Sequence, residues 1–264
     1  MTVWAIVNKS SRQDVDPRCD AVMEHFVNGV GAVKADFKYA KAQEGAMIIR
    51  GLKYGSMITW CWDNHRDFYY LDNGYFGNGK KKNVVRLTQN HVQLLGNIIE
   101  RDNTRIPQDN FKIKPHTCGT KILVCPPSGK VMNLYGLDPD QWLEDTISEI
   151  KKHTGRPIEV RVKPIRSVRI NEDSFEQALE NDVHAVVTHS SVAGVESVMW
   201  GKPVFVTAEC AASAVANTDL SKLEDPWFPD DDLRWAWLRH LSYGQFTYEE
   251  IANGVAWRIL NEKN

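Results

Sequence analysis

The sequence predicts an α/β fold in two lobes, each built on a parallel sheet. Short apolar runs alternate with longer amphipathic stretches, which is the pattern of βαβ units. Two such series flank a polar stretch at residues 103–117 that carries Pro107 and Pro115. The chain has 264 residues, enough for two lobes of ordinary domain size.

The elements follow in order. Val3–Val7 reads as a short buried strand, followed by the polar loop Asn8-Lys9-Ser10-Ser11-Arg12. Asp16 and Pro17 open a helix to about Val27, because Asp caps free N–H groups and Pro loses nothing at the first helical position. Residues 31–39 read as a second strand, and 45–60 as a strand and helix punctuated by Gly51 and Gly55. Phe68-Tyr69-Tyr70-Leu71 is strand-like and runs into the turn signal Asp72-Asn73-Gly74. After the polar linker, Lys121–Cys125 is a strand ending at Pro126-Pro127-Ser128-Gly129. Asp138 and Pro139 start a helix to about His153, with Trp142, Ile147 and Ile150 on its core face. Strands at 158–162, 185–188 and 203–206 alternate with helices at 174–181 and 190–200. That order implies a parallel, Rossmann-like sheet. Helices at 231–241 and 247–260 close the chain, the second opened by the Thr247/Glu250 capping box. Residues 1–115 thus form a first lobe and 116–244 a second. The terminal helical segment, 245–264, is expected to pack back on the first.

Composition narrows the function classes. No apolar run reaches the roughly 18 residues that a membrane span needs, and no signal peptide is evident at the N-terminus. The five cysteines are scattered and form no C-x-x-C pair, so neither a disulfide framework nor a zinc site is expected, and a reducing cytoplasm is the simplest setting. Residues 1–115 carry 17 lysines and arginines against 12 acidic residues, and residues 116–264 carry 15 against 22. That asymmetry suits an anionic acceptor on the first lobe, or is ordinary surface variation.

The densest chemistry lies in Val186-Val187-Thr188-His189-Ser190-Ser191-Val192-Ala193-Gly194-Val195-Glu196, which continues to Gly201-Lys202-Pro203-Val204. A buried strand ends at a polar turn that opens a helix. The helix start offers unpaired N–H groups and a positive dipole end, and Ser190 and Ser191 add hydroxyls. This makes a phosphate site at the carboxyl end of a parallel strand. Glu196, about one to two turns on, is placed to accept from a ribose diol. Alternatively the serine is an N-cap, Glu196 a surface residue and His189 a structural histidine. Arg161 and Lys163 alternate along another strand's end, so both face one side, where two cations neutralise a diphosphate leaving group or form a solvated basic edge. At Ser128-Gly129 the backbone can approach a phosphate.

The segment from Thr188 to Val204 resembles the T-x-S-S/T-x-x-x-E-A-x-x-x-G-K-P-V pattern of GT-B glycosyltransferases, in particular the capsule Kdo-transferase and sialyltransferase-like group. Arg161-Val162-Lys163-Pro164 resembles the R-x-K-P strand end of the same enzymes. The resemblance implies a compact GT-B-like fold with the active site in a cleft between lobes. It implies a nucleotide-sugar donor, a UDP-sugar by preference, bound by Ser128, Arg161, Lys163, His189, Ser190, Ser191 and Glu196. Hexosyl or pentosyl transfer without a cofactor or bound metal is implied as well.

In the first lobe, Asp67 to Gly77 resembles the Y-x-D-x-G-Y-F segment of bacteriophage-encoded glycosyltransferase-like proteins. Asp72, at a strand's carboxyl end, is placed as the general base for an acceptor hydroxyl, or starts an Asx-turn. Asp63 and His65 are secondary candidates. Lys80, Lys81 and Lys82, with Arg86 behind them, suit an acceptor phosphate backbone or form a solvated surface. Tyr75 and Phe76 suit base stacking or a core. Asp230-Asp231-Asp232 suits a metal or simply a helix start. The acceptor expected from these features is a hydroxymethylated base in bacteriophage double-stranded DNA. The alternatives are a capsule or lipopolysaccharide glycan, or no turnover in a nucleotide-binding protein of the same fold.

Overall fold

The computed structural model describes residues 2–7, 17–77, 84–107, 111–163 and 174–262. In chain order the first elements are β1 (Val3–Ile6), α1 (Pro17–Val30), β2 (Val33–Ala35), α2 (Phe37–Lys41), β3 (Ala46–Arg50), α3 (Gly55–Asp63), β4 (Phe68–Asn73) and β5 (Val84–Gln89). Next come β6 (Lys121–Cys125), α4 (Gly129–Leu134), α5 (Pro139–His153), β7 (Ile158–Val160), α6 (Phe175–Glu180), β8 (Val183–Thr188), α7 (Val192–Met199) and β9 (Val204–Val206). The last are α8 (Asp231–Ser242), β10 (Gln245–Thr247), α9 (Tyr248–Ala252) and α10 (Val255–Asn261). They group into two compact units, Met1–Leu94 with Leu241–Asn264, and Leu95–His240. Residues 95–115, placed in the first lobe by the sequence reading, group with the second unit.

In the first unit the strand order is β10-β5-β4-β3-β1-β2. The β2, β1, β3 and β4 strands are parallel, whereas β5 runs antiparallel to both β4 and β10. The expected all-parallel sheet therefore holds only for the first four strands. Neither β5 nor β10 was anticipated, because each carries polar residues that blur the strand pattern. The expected strand over 31–39 is shorter, because Asp36 accepts from Tyr39 N–H and starts α2.

Strand β4 extends through Asp72 and Asn73, which were expected to begin a turn. Asp72 sits opposite Arg86 in the β4–β5 ladder. The core of this unit joins the first strands and α1 to Phe246, Ile251 and Ala256 of the terminal segment. That segment is two helices, since Gly254 adopts φ 78° and ends the first. Gly29 of α1 lies directly against the Ile251 carbonyl, so the backbones meet where a side chain would stand.

The second unit holds a wholly parallel sheet in the order β7-β6-β8-β9. All six residues of β8 are buried, as a strand covered on both faces requires. Its helices start where the sequence places caps: Asp138 accepts from Asp140 and Gln141 N–H groups, and Ser174 forms a capping box with Gln177. Buried Lys202 donates to Thr117 Oγ1 at 2.7 Å and to the Val183 carbonyl at 3.0 Å. Buried Arg234 donates to the Val198 carbonyl at 2.9 Å, at the end of α7. Asp230 and Asp231 serve the start of α8. The first accepts from Leu233 N–H and the second pairs with Arg234. None of the described helices is long and apolar enough to cross a membrane.

A Cβ at position 29 would overlap the Ile251 carbonyl. Gly29→Ala is expected to cost about 1–3 kcal/mol and to lower the thermal midpoint. Gly155→Ala, which meets open space, should leave the midpoint in place. Equal midpoints for the two variants would contradict the close approach of α1 and α9.

Candidate functional site

In the second unit the chain leaves β6 toward β7 on one side and returns to β8 on the other. The crevice outside the carboxyl ends of β6 and β8 is therefore the topological switch point, where open α/β sheets bind ligands. Thr188 Oγ1 donates to the Cys125 carbonyl at 2.7 Å and ties these two strand ends together. Beyond β6, the Pro126–Gly129 turn leads into α4. Ser128 is the N-cap residue there, yet its side chain makes no capping bond and is exposed. Beyond β8, His189, Ser190 and Ser191 form the turn into α7. Ser191 is the N-cap, accepting from Ala193 N–H at 3.2 Å. A cap uses an oxygen lone pair, so the hydroxyl proton of Ser191 remains available to a ligand. Ser190 is 2% exposed and lies beside Tyr135; burial raises the Tyr135 pKa and the Ser190 side chain opposes that rise.

His189 is 7% exposed. Its Nδ1 lies 2.9 Å from Thr207 Oγ1, and Tyr135 and Trp142 stand edge-on to its ring at 5.3 and 6.1 Å. Burial lowers its pKa, so the ring is neutral near pH 7. Its Nε2 is buried and has no hydrogen-bond partner in the structure. Cys210 is buried beside the Ser191 backbone. Burial pushes its thiol up, against hydrogen bonds from the Ala212, Ser213 and Ser191 backbones and the Ser213 side chain.

Arg161 and Lys163 follow β7 rather than lying within it, because the strand ends at Val160. Arg161 N–H still donates to the Val124 carbonyl at 2.9 Å, which fixes the start of this segment against β6. Lys163 and Val162 are exposed. An open pocket of about 360 Å³ lies on this side, walled by Pro126, Pro127, Leu143 and Val162, with Ser128 and Lys163 at its polar margin. His189, Ser190 and Ser191 are not among its lining residues.

Glu196 lies on α7, one turn beyond its start. Protein crowding around its carboxyl, with Glu176 nearby, pushes its pKa up to about 7, and Lys163 pulls the other way. The residue is nonetheless exposed by area. Water therefore reaches the group. Burial also pushes the Cys125 thiol up to about 12, with Arg161 opposing and Glu196 reinforcing. Arg161 and Glu196 both act electrostatically on Cys125 at the carboxyl end of β6, and Lys163 on Glu196.

The first unit holds Asp72. Its Oδ2 accepts from Tyr70 Oη at 2.8 Å and from Arg86 Nη2 at 3.3 Å, and its Oδ1 accepts from Asn73 N–H at 2.8 Å. Arg86 was expected to face an acceptor. It is instead buried: its Nε donates to the Val92 carbonyl at 3.1 Å and its Nη1 to the Asn73 carbonyl at 3.0 Å. Burial acts to lower its pKa, but Asp72, Tyr70 and Tyr75 outweigh burial and hold it charged. Arg86 is thus an internal cation with Asp72 as its counter-ion. Tyr75 and Phe76 are buried, and Gln245 Oε1 accepts from both of their N–H groups, so they are core rather than stacking platforms. His65 has φ 50° and ends the α3 turn beside Asp63. Lys80, Lys81 and Lys82 lie outside the described residues. Among the functional neighbours, sequence reasoning missed Tyr70, Tyr135 and Thr207. Only the Tyr70-x-Asp72 spacing gave a hint, since alternate strand residues share a face.

No protein-family model matches the sequence, and no curated protein does. Among solved structures, the chain is similar to Thermosulfurimonas dismutans KpsC, beta Kdo 2,7 transferase, with a TM-score of 0.51 and 12% identity, covering 100% of each chain. It also matches Thermosulfurimonas dismutans KpsC, beta Kdo 2,4 transferase, with a TM-score of 0.49 and 13% identity, over 91% of this chain and 90% of that one. At such identity the likeness concerns the fold. The chain shares with that structure a mixed α/β fold built on two sheets of largely parallel strands.

The pairing of Asp72 with Arg86 generates a stability prediction. Asp72→Asn leaves a buried guanidinium without its counter-charge. The carboxylate side chain is 34% exposed, so the loss is expected at about 1–3 kcal/mol rather than the full value for a buried pair. Urea unfolding checks this. An unaltered midpoint would mean that Asp72 is not needed to hold Arg86.

Proposed function

We propose that this chain is a glycosyltransferase that uses a nucleotide-sugar donor. The observation that carries the reading is the switch point of the second unit. There the His189–Ser191 turn opens α7 beside the Ser128 turn, with Arg161, Lys163 and Glu196 around it. In this reading the donor phosphate accepts from the start of α7 and from the hydroxyls of Ser128, Ser190 and Ser191. Arg161 and Lys163 supply positive charge as the leaving group departs, which suits a UDP-sugar. Glu196 accepts from the ribose hydroxyls. Similarity of fold to structures named as Kdo transferases supports sugar transfer.

Asp72 is the proposed general base. A carboxylate offers about four lone-pair sites. Tyr70, Asn73 and Arg86 occupy three and orient the group, and the exposed remainder is open to an acceptor hydroxyl. A glycan acceptor is favoured over phage DNA. The DNA reading rests on the resemblance to phage proteins, the basic first lobe and Lys80, Lys81 and Lys82, the last three outside the described residues. Of the residues that would have joined them, Arg86, Tyr75 and Phe76 are buried within the first unit.

The first test is thermal stability against UDP-, GDP- and CMP-sugars and their nucleotides. A ligand that binds only the folded state stabilises it by about 2.7 kcal/mol at a hundredfold excess over Kd. A shift of several degrees is expected with one nucleotide class, and it should vanish in the Ser190→Ala/Ser191→Ala double variant. A folded protein that responds to none of the panel would overturn the donor site.

The raised Glu196 pKa predicts a pH dependence. The carboxylate is the better acceptor for a diol, and a carboxyl with a pKa of about 7 gains that form as pH rises through neutrality. Donor affinity should therefore increase from pH 6 to pH 8, and Glu196→Gln should flatten that increase. Titration calorimetry of both proteins across this range is the measurement. Parallel profiles would show that Glu196 does not contact the donor.

A further inference from the structure

We infer that Thr207, anchored by Trp142, is a positioning residue that holds His189 with its Nε2–H available to the donor site. This rests on the donor site proposed above.

The argument begins with hydrogen-bond inventory. Trp142 Nε1–H can only donate, and it donates to Thr207 Oγ1 at 3.1 Å. One lone pair of that oxygen is therefore occupied. His189 Nδ1 lies 2.9 Å from the same oxygen. If the Thr207 hydroxyl proton points to Nδ1, every polar atom in the chain Trp142–Thr207–His189 is satisfied within the protein up to Nε2. Thr207 is exposed, so in the alternative arrangement, with the proton on Nδ1, its hydroxyl proton would go to solvent and Nε2 would be left as a buried bare acceptor. The first arrangement puts the imidazole proton on Nε2.

Topology then decides which ring nitrogen is engaged. Strand β8 is flanked by β9 on one side and β6 on the other. Thr207 directly follows β9, and its N–H donates to the Thr188 carbonyl at 3.0 Å. Nδ1 is thus engaged by the residue after β9, and Nε2 is the ring nitrogen left over, in a ring that Tyr135 meets edge-on. Nε2 is buried with no partner. A buried donor without an acceptor is rare and unfavourable unless a ligand or water completes it. At the start of α7 the fitting group is an acceptor oxygen, such as that of a phosphate or a sugar carboxylate. The neutral ring makes His189 a hydrogen-bond donor rather than a second cation beside Lys163. Trp142 and Tyr135 confine the ring, so the relay limits both its rotation and its tautomer.

The test uses the whole chain with ¹⁵N-labelled histidine. Long-range ¹H–¹⁵N correlation spectra report which ring nitrogen carries the proton, and His189→Gln identifies the signal. The wild type is expected to show the Nε2–H tautomer. Thr207→Val should lose that single tautomer and weaken nucleotide binding by about 3- to 10-fold, the effect of one hydrogen bond. Thr207→Ser, which keeps the hydroxyl, should retain both properties.

A wild-type Nδ1–H tautomer, or an unchanged signal in Thr207→Val, would overturn the relay. If the tautomer responds as expected while Thr207→Val binds nucleotide as tightly as wild type, the positioning role falls and the donor site stands. If the tautomer responds but no nucleotide of the panel binds the wild type, the donor reading falls and the relay survives as a feature of the fold.

Discussion

Strand β8 is buried on both faces along its whole length, and that constraint organises the second unit. A parallel strand in this position has no solvent face on which to place polar chemistry. Its polar side chains therefore either find backbone acceptors inside the protein or collect beyond its end. His184 Nε2 meets the Leu223 carbonyl at 2.8 Å, and Thr188 meets that of Cys125. The next three residues, His189, Ser190 and Ser191, are the first that can present chemistry outside the sheet. Their place follows from where the strand must stop.

The same turn has to start a helix, and this requirement agrees with ligand binding rather than competing with it. Ser191 accepts from Ala193 as a cap and keeps its hydroxyl proton. The positive end of α7 favours an anion whether or not one is present. The choice between N-cap and phosphate ligand that the sequence left open is thus not exclusive. The surroundings tilt it: a cap alone requires neither the orphaned Nε2 of His189 nor Lys163 and Arg161 close by.

In the first unit the organising pair is Asp72 and Arg86. An antiparallel register sets them opposite each other, and burial of the guanidinium between Tyr70 and Tyr75 makes a counter-ion obligatory. The pair locks the carboxyl end of β4 to the amino-terminal half of β5 while keeping part of the Asp72 carboxylate at the surface. Structural and chemical duties then fall on one side chain, so loss of activity alone cannot separate them.

Local signals in the sequence determined the units of structure. The Asp138–Pro139 and Thr247/Glu250 caps, the apolar strands at 121–125 and 185–188 and the polar turn after Thr188 were all legible, because capping and burial patterns depend on neighbours in the chain. The candidate donor residues were legible for the same reason, being contiguous or placed at strand ends. Tertiary structure alone decided what depends on distant partners. Strands β5 and β10 are set by pairing, β10 with β5 and β5 with β4, and β10 lies far along the chain from β5. Arg86 looked like a surface cation until the ladder set it against Asp72. Thr207 had no local signature, and its meaning comes from Trp142 and His189, which lie far from it in sequence. Cross-strand pairing and side-chain relays join residues by register rather than by spacing, and spacing is what a single sequence displays.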